Sequence, residues 1–261
     1  MKKTINAAVL QFSPILHQPQ RNMERVRELL KNEEEKLTSL DLLLLPESFI
    51  LGPIQKLKLN DAKEAQKVGL KGLAEMAEKW GFYLLGGTMP EVEEEDIYNT
   101  AFLFNPAGEL IDAYRKVHLY SLGEFREGEI YTPGSEVRAL RTELASIGLG
   151  ICYELRFPRI FQSLREEGVE IICAPATWDY PVYEQWGLLN RTRALEVQAY
   201  LLAANITGNY PLSWFFGGSM AVSFKGQVMA SMAEEEGLLF SSFDLDALRD
   251  YRREYPYYQD Y

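Results

Sequence analysis

The chain has 261 residues, 47% of them hydrophobic, which suits one large domain, or at most two, with a substantial core. Its formal net charge of −11 excludes nucleic acid as the main partner, because phosphate binding needs a basic face, and no apolar run approaches the roughly 20 residues of a membrane span. The two cysteines, Cys152 and Cys173, form neither a disulfide framework nor a CxxC metal pair, and with no signal peptide they predict a reducing, cytoplasmic setting.

Strand-like and helix-like segments alternate along the chain. Residues 5–12 read as a first strand. Residues 21–37 have helical spacing, with Val26, Leu29, Leu30 and Leu37 on one face and charge on the other. Residues 41–45 are a short apolar run, the mark of a strand buried on both faces, and the run ends at Pro46-Glu47. Residues 62–80 predict a helix stopped by Gly81, and 82–87 another buried strand. Residues 98–105 and 109–114 predict a hairpin closed by Asn105-Pro106-Ala107-Gly108. A loop rich in Gly and Glu spans 118–134. Then come a strand (145–152), a helix (156–167), a strand (169–174), a long helix (183–200) and strands at 201–206, 219–224 and 237–243. The acidic runs at 33–35, 93–96 and 234–236 read as solvated helix ends and loop tips. The alternation implies mixed sheets with helices outside, as two sheets face to face or as one doubly wound sheet.

Chemistry in α/β folds gathers where strands end, and three such ends carry reactive side chains. These are Glu47 after LLLLP, Lys116 after DAYR and Cys152 after IGLGI. Taken singly, each has an ordinary structural reading: a surface carboxylate, an exposed lysine, a small buried hydrophobe. Taken together, they form a mechanism. A thiol is mostly protonated at neutral pH, so a carboxylate must take its proton during attack. A lysine cation stabilises the sulfur anion and then the oxyanion of a tetrahedral intermediate, and backbone N–H groups at the start of the helix after Cys152 complete the oxyanion site.

LLLPE around Glu47, YRKVHL around Lys116 and GICYELRFP around Cys152 occur in this order and resemble the nitrilase, or carbon–nitrogen hydrolase, superfamily. The likeness extends to the Tyr131-Thr-Pro-Gly134 loop exit, to the 177–205 segment and to 216–223, so it covers nearly the whole chain. It implies a four-layer αββα sandwich in a single domain over 1–261. It also implies homodimers that bury a helical layer, with the tail at 246–261 in or near that contact. Cys152 becomes the nucleophile, Glu47 the general base and Lys116 the oxyanion stabiliser, with no metal and no organic cofactor. Members with a short loop carry a second glutamate seven residues before the exit glycine. Of Glu124, Glu127 and Glu129, that spacing selects Glu127.

The implied substrate is a small-molecule amide. Arg156-Phe157-Pro158 resembles the branch that acts on ω-amides of 2-oxo acids. The sequence departs from a bacterial subgroup of that branch: Val182 stands for an arginine and Gln185 for a histidine, while Val197 and Gly218 replace a motif asparagine and histidine. Arg156, Arg191 and Arg193 are the remaining candidates to hold a substrate carboxylate. Tyr153 is expected to line the pocket, and Trp178, Tyr180, Tyr183 and Trp186 to wall it; Cys173 reads as a core residue. The rival readings are nitrile or N-carbamoyl amide hydrolysis, acyl transfer from the same thioester, and a non-catalytic binding protein of the same fold.

Overall fold

The computed structural model describes residues 3–123, 125–211 and 213–257. The first half of the chain runs β1 (Thr4–Gln11), α1 (Pro19–Lys31), α2 (Glu34–Leu37), β2 (Leu42–Leu44), α3 (Leu59–Trp80), β3 (Tyr83–Leu85), β4 (Met89–Glu93), β5 (Asp96–Phe104) and β6 (Leu110–Arg115). The second runs β7 (Leu140–Arg141), β8 (Ser146–Leu149), α4 (Pro158–Glu166), β9 (Ile171–Ala176), α5 (Tyr183–Val197), β10 (Tyr200–Asn205), β11 (Thr207–Tyr210), β12 (Ser213–Phe216), β13 (Met220–Val222), β14 (Val228–Ser231), β15 (Gly237–Asp244) and α6 (Leu245–Glu254). One sheet has the order β15-β1-β2-β3-β5-β4, with β6 on the other edge of β5; the second has the order β14-β13-β10-β9-β8-β7. Each has three parallel strands at its heart, β1-β2-β3 and β8-β9-β10.

Alternation along the strands builds the layers. Ile5, Ala7 and Val9 of β1 point into a core shared with Ile147, Leu149, Ile171, Cys173 and Leu202 of the second sheet. Ala8 and Leu10 point the other way, onto Val26 and Leu30 of α1 and Leu73 and Met76 of α3. On the far side, Ile172, Ala174, Leu201 and Ala203 meet Phe161 and Leu164 of α4 and Ala194 and Val197 of α5. The order is therefore helix, sheet, sheet, helix, the αββα sandwich. Each fully buried Leu, Ile or Phe in these three cores contributes about 1.5–3 kcal/mol.

Several boundaries differ from the sequence reading. Residues 21–37 are not one helix: α1 stops at Lys31 and a separate turn, α2, follows. Between Leu30 and Leu37 the inward positions hold glutamates, so no apolar contact carries the helix through. α3 begins at Leu59 rather than at residue 62. β4, the β11–β12 hairpin and the edge strand β14 were not expected. Pro90 and the acidic run mask β4, and Pro211 interrupts the hairpin. That acidic run is indeed a loop tip, with Glu94 at φ 56°. Glu236 departs from the solvated reading, because its carboxylate accepts the Ser13 N–H at 2.8 Å and pairs with Arg25.

The C-terminal helix α6 docks on its own chain. Leu245 and Leu248 enter the core between the sheets, and the Arg252 Nε–H donates to the Gln198 carbonyl at 2.9 Å. Of the tail expected near a dimer contact, 258–261 lie outside the described residues. Among the described residues, no helix is long and apolar enough to cross a membrane.

One close approach positions the site. β3 runs into Gly86-Gly87-Thr88. Gly87 has φ 52°, and a Cβ there would lie 1.9 Å from the Pro46 carbonyl oxygen. Thr88 then braces the Glu47 segment: its N–H donates to Pro46 at 3.4 Å and its hydroxyl accepts the Ser48 N–H at 3.0 Å. Gly87→Ala is expected to destabilise the fold by about 2–4 kcal/mol, seen as a lower urea midpoint. An unchanged midpoint would mean that the contact with Pro46 does not constrain this turn.

Candidate active site

Glu47, Lys116 and Cys152 come from three strand ends and two sheets. Glu47 follows β2. Lys116 follows β6, where its N–H continues the ladder to the Asn99 carbonyl at 2.9 Å. Cys152 follows β8 and has φ 49°. A non-glycine residue in this left-handed region costs about 1–3 kcal/mol and persists only where its surroundings impose it. The turn Cys152–Arg156 is a short 3-10 helix, and α4 begins only at Pro158. The backbone N–H groups next after Cys152 therefore belong to this turn and not to the start of the α-helix expected from residue 156. Proline, with its fixed φ and no N–H, sets the helix start later.

The Lys116 ammonium is buried between two carboxylates. It donates to Glu47 Oε1 at 2.8 Å and to Glu127 Oε1 at 3.0 Å. The Asn99 side-chain amide donates to the same two oxygens, at 3.1 Å each. The other oxygen of Glu47 accepts the Thr177 N–H at 2.9 Å and its hydroxyl at 2.8 Å. Glu127 Oε2 accepts the Tyr120 N–H at 2.6 Å, which pins the loop to the site. The Cys152 thiol lines the same cavity as Lys116 and Glu127, near enough to Glu47 and Lys116 for both charges to act on it.

Electrostatics separates the groups. Burial alone would raise the Glu47 carboxyl, but the Lys116 charge and the donors around it hold it below the usual carboxylate range. Burial pushes Glu127 up, the Glu47 charge adds to this, and Lys116 only partly opposes it. Lys116 itself is held well above its usual value: burial works against its charge, and the two carboxylates outweigh that. Burial and then Glu47 drive the Cys152 thiol well above its usual value, against Lys116. Cys152 is thus a thiol at rest, not a thiolate, beside an ionised carboxylate ready to take its proton.

Lys116, Glu127 and Cys152 line a cavity of about 340 Å³, within the usual range for small-ligand sites. Tyr153, Arg156 and Trp178 line it, as expected. Arg156 lies over the Trp178 ring at 4.8 Å. Arg193 and Arg191 do not reach the cavity. Arg193 is buried, donates to the Leu155 carbonyl and pairs with Glu196, while Arg191 donates to the Gly226 carbonyl. The expected aromatic wall also shrinks to Trp178. Trp186 is a core residue bonded to the Gly218 carbonyl, and Tyr180 and Tyr183 are exposed outside the cavity. Val182 lines the cavity. Glu129 is exposed and outside the site, and Glu124 lies outside the described residues. Cys173 is fully buried in the core.

Sequence reasoning missed Asn99, Thr177 and Tyr120. Asn99 had a signal. It shares the inward register of Ala101 and Leu103 on β5, so a polar side chain breaks the apolar pattern there. Tyr120 acts through its backbone N–H and Thr177 partly so, and backbone donors leave no trace in residue type.

An αββα sandwich with a cysteine, a carboxylate and a lysine at strand ends holds the residue types that covalent catalysis uses. The family model for carbon-nitrogen hydrolases matches residues 6–253, and the chain belongs to that family. It is a hydrolase of carbon–nitrogen bonds. It is 30% identical to an ω-amidase of Xenopus tropicalis over 90% of this chain and 87% of that one. It is also 30% identical to the 2-oxoglutaramate amidase of Bacillus subtilis, over 100% of this chain and 98% of that one. Among solved structures, Saccharomyces cerevisiae Nit3, a member of branch 10 of the nitrilase superfamily, superposes with a TM-score of 0.88 at 26% identity, covering 99% of this chain and 97% of that one.

Glu47→Gln separates two roles of this carboxylate. Turnover is expected to fall by about 10³-fold, because the proton acceptor is gone. Iodoacetamide alkylation of Cys152 at pH 8 is expected to speed up, because the charge that raised the thiol is also gone. Slower alkylation in a folded variant would contradict this account.

Proposed function

We propose that this protein is an amidase that hydrolyses the terminal amide of a small 2-oxo acid amide through a thioester on Cys152. The observation that carries the reading is the ion-paired Glu47–Lys116–Glu127 group, with the Cys152 thiol lining the same cavity as Lys116 and Glu127. The names of the Xenopus and Bacillus relatives supply the substrate class and favour an amide over a nitrile or an N-carbamoyl compound.

In this reading Cys152 sulfur attacks the amide carbon while Glu47 takes the thiol proton. Lys116 has three N–H donors; one goes to Glu47 Oε1 and one to Glu127, both of whose carboxylate oxygens lie within 3.0 Å of the ammonium. The third serves the oxyanion of the tetrahedral intermediate. The carbon–nitrogen bond breaks, the Glu47 proton goes to the departing ammonia, and a thioester remains. Water then attacks with Glu47 as base. The carbon–sulfur bond breaks, the sulfur recovers its proton from Glu47, and the acid leaves. Glu127 holds Lys116 and the Tyr120 loop in place.

The acidic end of the substrate falls to Arg156. Its guanidinium lines the cavity and stacks on Trp178, so the fork is pre-oriented for a bidentate carboxylate contact. It would replace the arginine lost at Val182. Two copies pair through the outward face of α5, where Leu188 and Leu195 are 65% and 48% exposed. A cytoplasmic location fits two free thiols.

Ammonia release from 2-oxoglutaramate and 2-oxosuccinamate, and none in Cys152→Ala, is the expected outcome. Arg156→Gln should raise KM for these anions by about 10–100-fold and leave neutral amides alone. Turnover of neutral amides, nitriles or carbamoyl compounds only would overturn the substrate, and equal KM changes for neutral and anionic amides would overturn the role of Arg156. In solution the mass should be at least about twice 29.9 kDa and should halve in a Leu188→Asp, Leu195→Asp variant. A wild-type mass of one chain would end the dimer reading.

A further inference from the structure

Glu154 is a fully buried carboxylate that the mechanism above does not use. It sits in the turn just after the nucleophile. Its Oε2 accepts the Ile151 N–H at 2.8 Å, on the residue before Cys152. Its Oε1 accepts the Tyr114 hydroxyl at 3.0 Å, the Val117 N–H at 2.7 Å and the His118 N–H at 3.2 Å. Val117 and His118 immediately follow Lys116, and Tyr114 lies two residues before it. One side chain therefore grips both flanks of the lysine segment and the residue next to the cysteine. These two segments belong to different sheets.

We infer that Glu154 is a positioning residue: its carboxylate clasps the end of β6 to the Cys152 turn and so fixes the distance from Lys116 to the sulfur. The inference rests on the roles given to Lys116 and Cys152 above.

The chemistry of the clasp requires an ionised carboxylate. Four donors converge on it, and only a carboxylate has acceptor sites for all of them. Lys116 spends its own bonds on Glu47 and Glu127, so hydroxyl and backbone donors hold Glu154. A residue needed only to fill space here would be apolar, because a buried ion is costly unless its geometry does something a hydrophobe cannot. Burial does push the Glu154 carboxyl up, to about 7, against its N–H donors. Nearby, Lys116 favours its charge, and the His118 ring sits stacked on Phe157. Glutamine has the same shape but one acceptor oxygen. If that oxygen stays on Val117 and His118, the amide NH₂ faces the Ile151 N–H, donor against donor, and the cysteine side of the clasp opens.

The experiment compares wild type, Glu154→Gln and Tyr114→Phe by thermal unfolding, by kcat and KM for the amide, and by the pH profile of Cys152 alkylation with iodoacetamide. In Glu154→Gln we expect kcat to fall by about 10²-fold, the cost of a misplacement near 1 Å, with KM changed less than about threefold. The alkylation profile should shift to higher pH, because Lys116 no longer stands against the sulfur. Tyr114→Phe, which removes one donor and leaves the carboxylate, should shift both readouts the same way by about threefold. A folded Glu154→Gln with kcat within about twofold and an unchanged alkylation profile overturns the inference. So does a kcat loss that comes with lower thermal stability and an unmoved profile, since that marks a purely structural role. If Glu154→Gln does not fold, Tyr114→Phe decides: a shifted profile supports the clasp, and a wild-type profile overturns it. Alkylation displaces iodide and needs no amide hydrolysis, so a wild type without amidase turnover would count against the proposed substrate and leave this test intact.

Discussion

The structure depends on one buried ammonium. Lys116 is out of water, and each charge removed from water costs several kcal/mol unless its partners are close and well aligned. The partners here are two carboxylates at hydrogen-bond distance, each fixed from a second direction by Thr177, Asn99 or Tyr120. The arrangement has two negative charges against one positive. Burial together with that imbalance pulls the two carboxyls apart in acidity, raising Glu127 while Lys116 leaves Glu47 ionised. Burial, and then the Glu47 charge, keep the neighbouring thiol protonated. The acid–base roles proposed for these groups rest on this one cluster.

Holding such a cluster requires a scaffold that approaches it from both sides. Glu47, Asn99 and Lys116 come from the first sheet; Cys152 and Thr177 come from the second. The two sheets touch through apolar side chains, which supply the cohesion but fix position only loosely. Directional bonds across the gap do the fixing. Thr177 reaches Glu47 from the second sheet, and Glu154 reaches the lysine segment. The left-handed backbone at Cys152 is a cost that this surrounding frame sustains.

Much of this was legible in the chain. Buried parallel strands read as apolar runs, so 41–45 and the strand before Cys152 stood out, and the alternation of strands and helices limited the architecture to layered sheets. Glu47, Lys116 and Cys152 were legible because reactive side chains at strand ends are few. Glu127 was chosen by spacing, and it does bond Lys116. What failed has physical causes. Pro90 and Pro211 disguised strands because edge and hairpin positions tolerate a residue without an N–H. Arg191 and Arg193 had the right chemistry for an anion, but their helix directs them to carbonyls and a glutamate outside the cavity.

The sequence by itself determined the layer pattern and the reactive residue types, because side-chain periodicity and chemistry are properties of the residues alone. Only the tertiary structure decided which of three arginines faces the cavity, that Cys152 rests as a thiol, and that Asn99, Thr177 and Glu154 tie the two sheets at the site. Those facts depend on burial and on backbone donors that meet across long stretches of chain, and distances of that kind are set only when the two sheets close on each other.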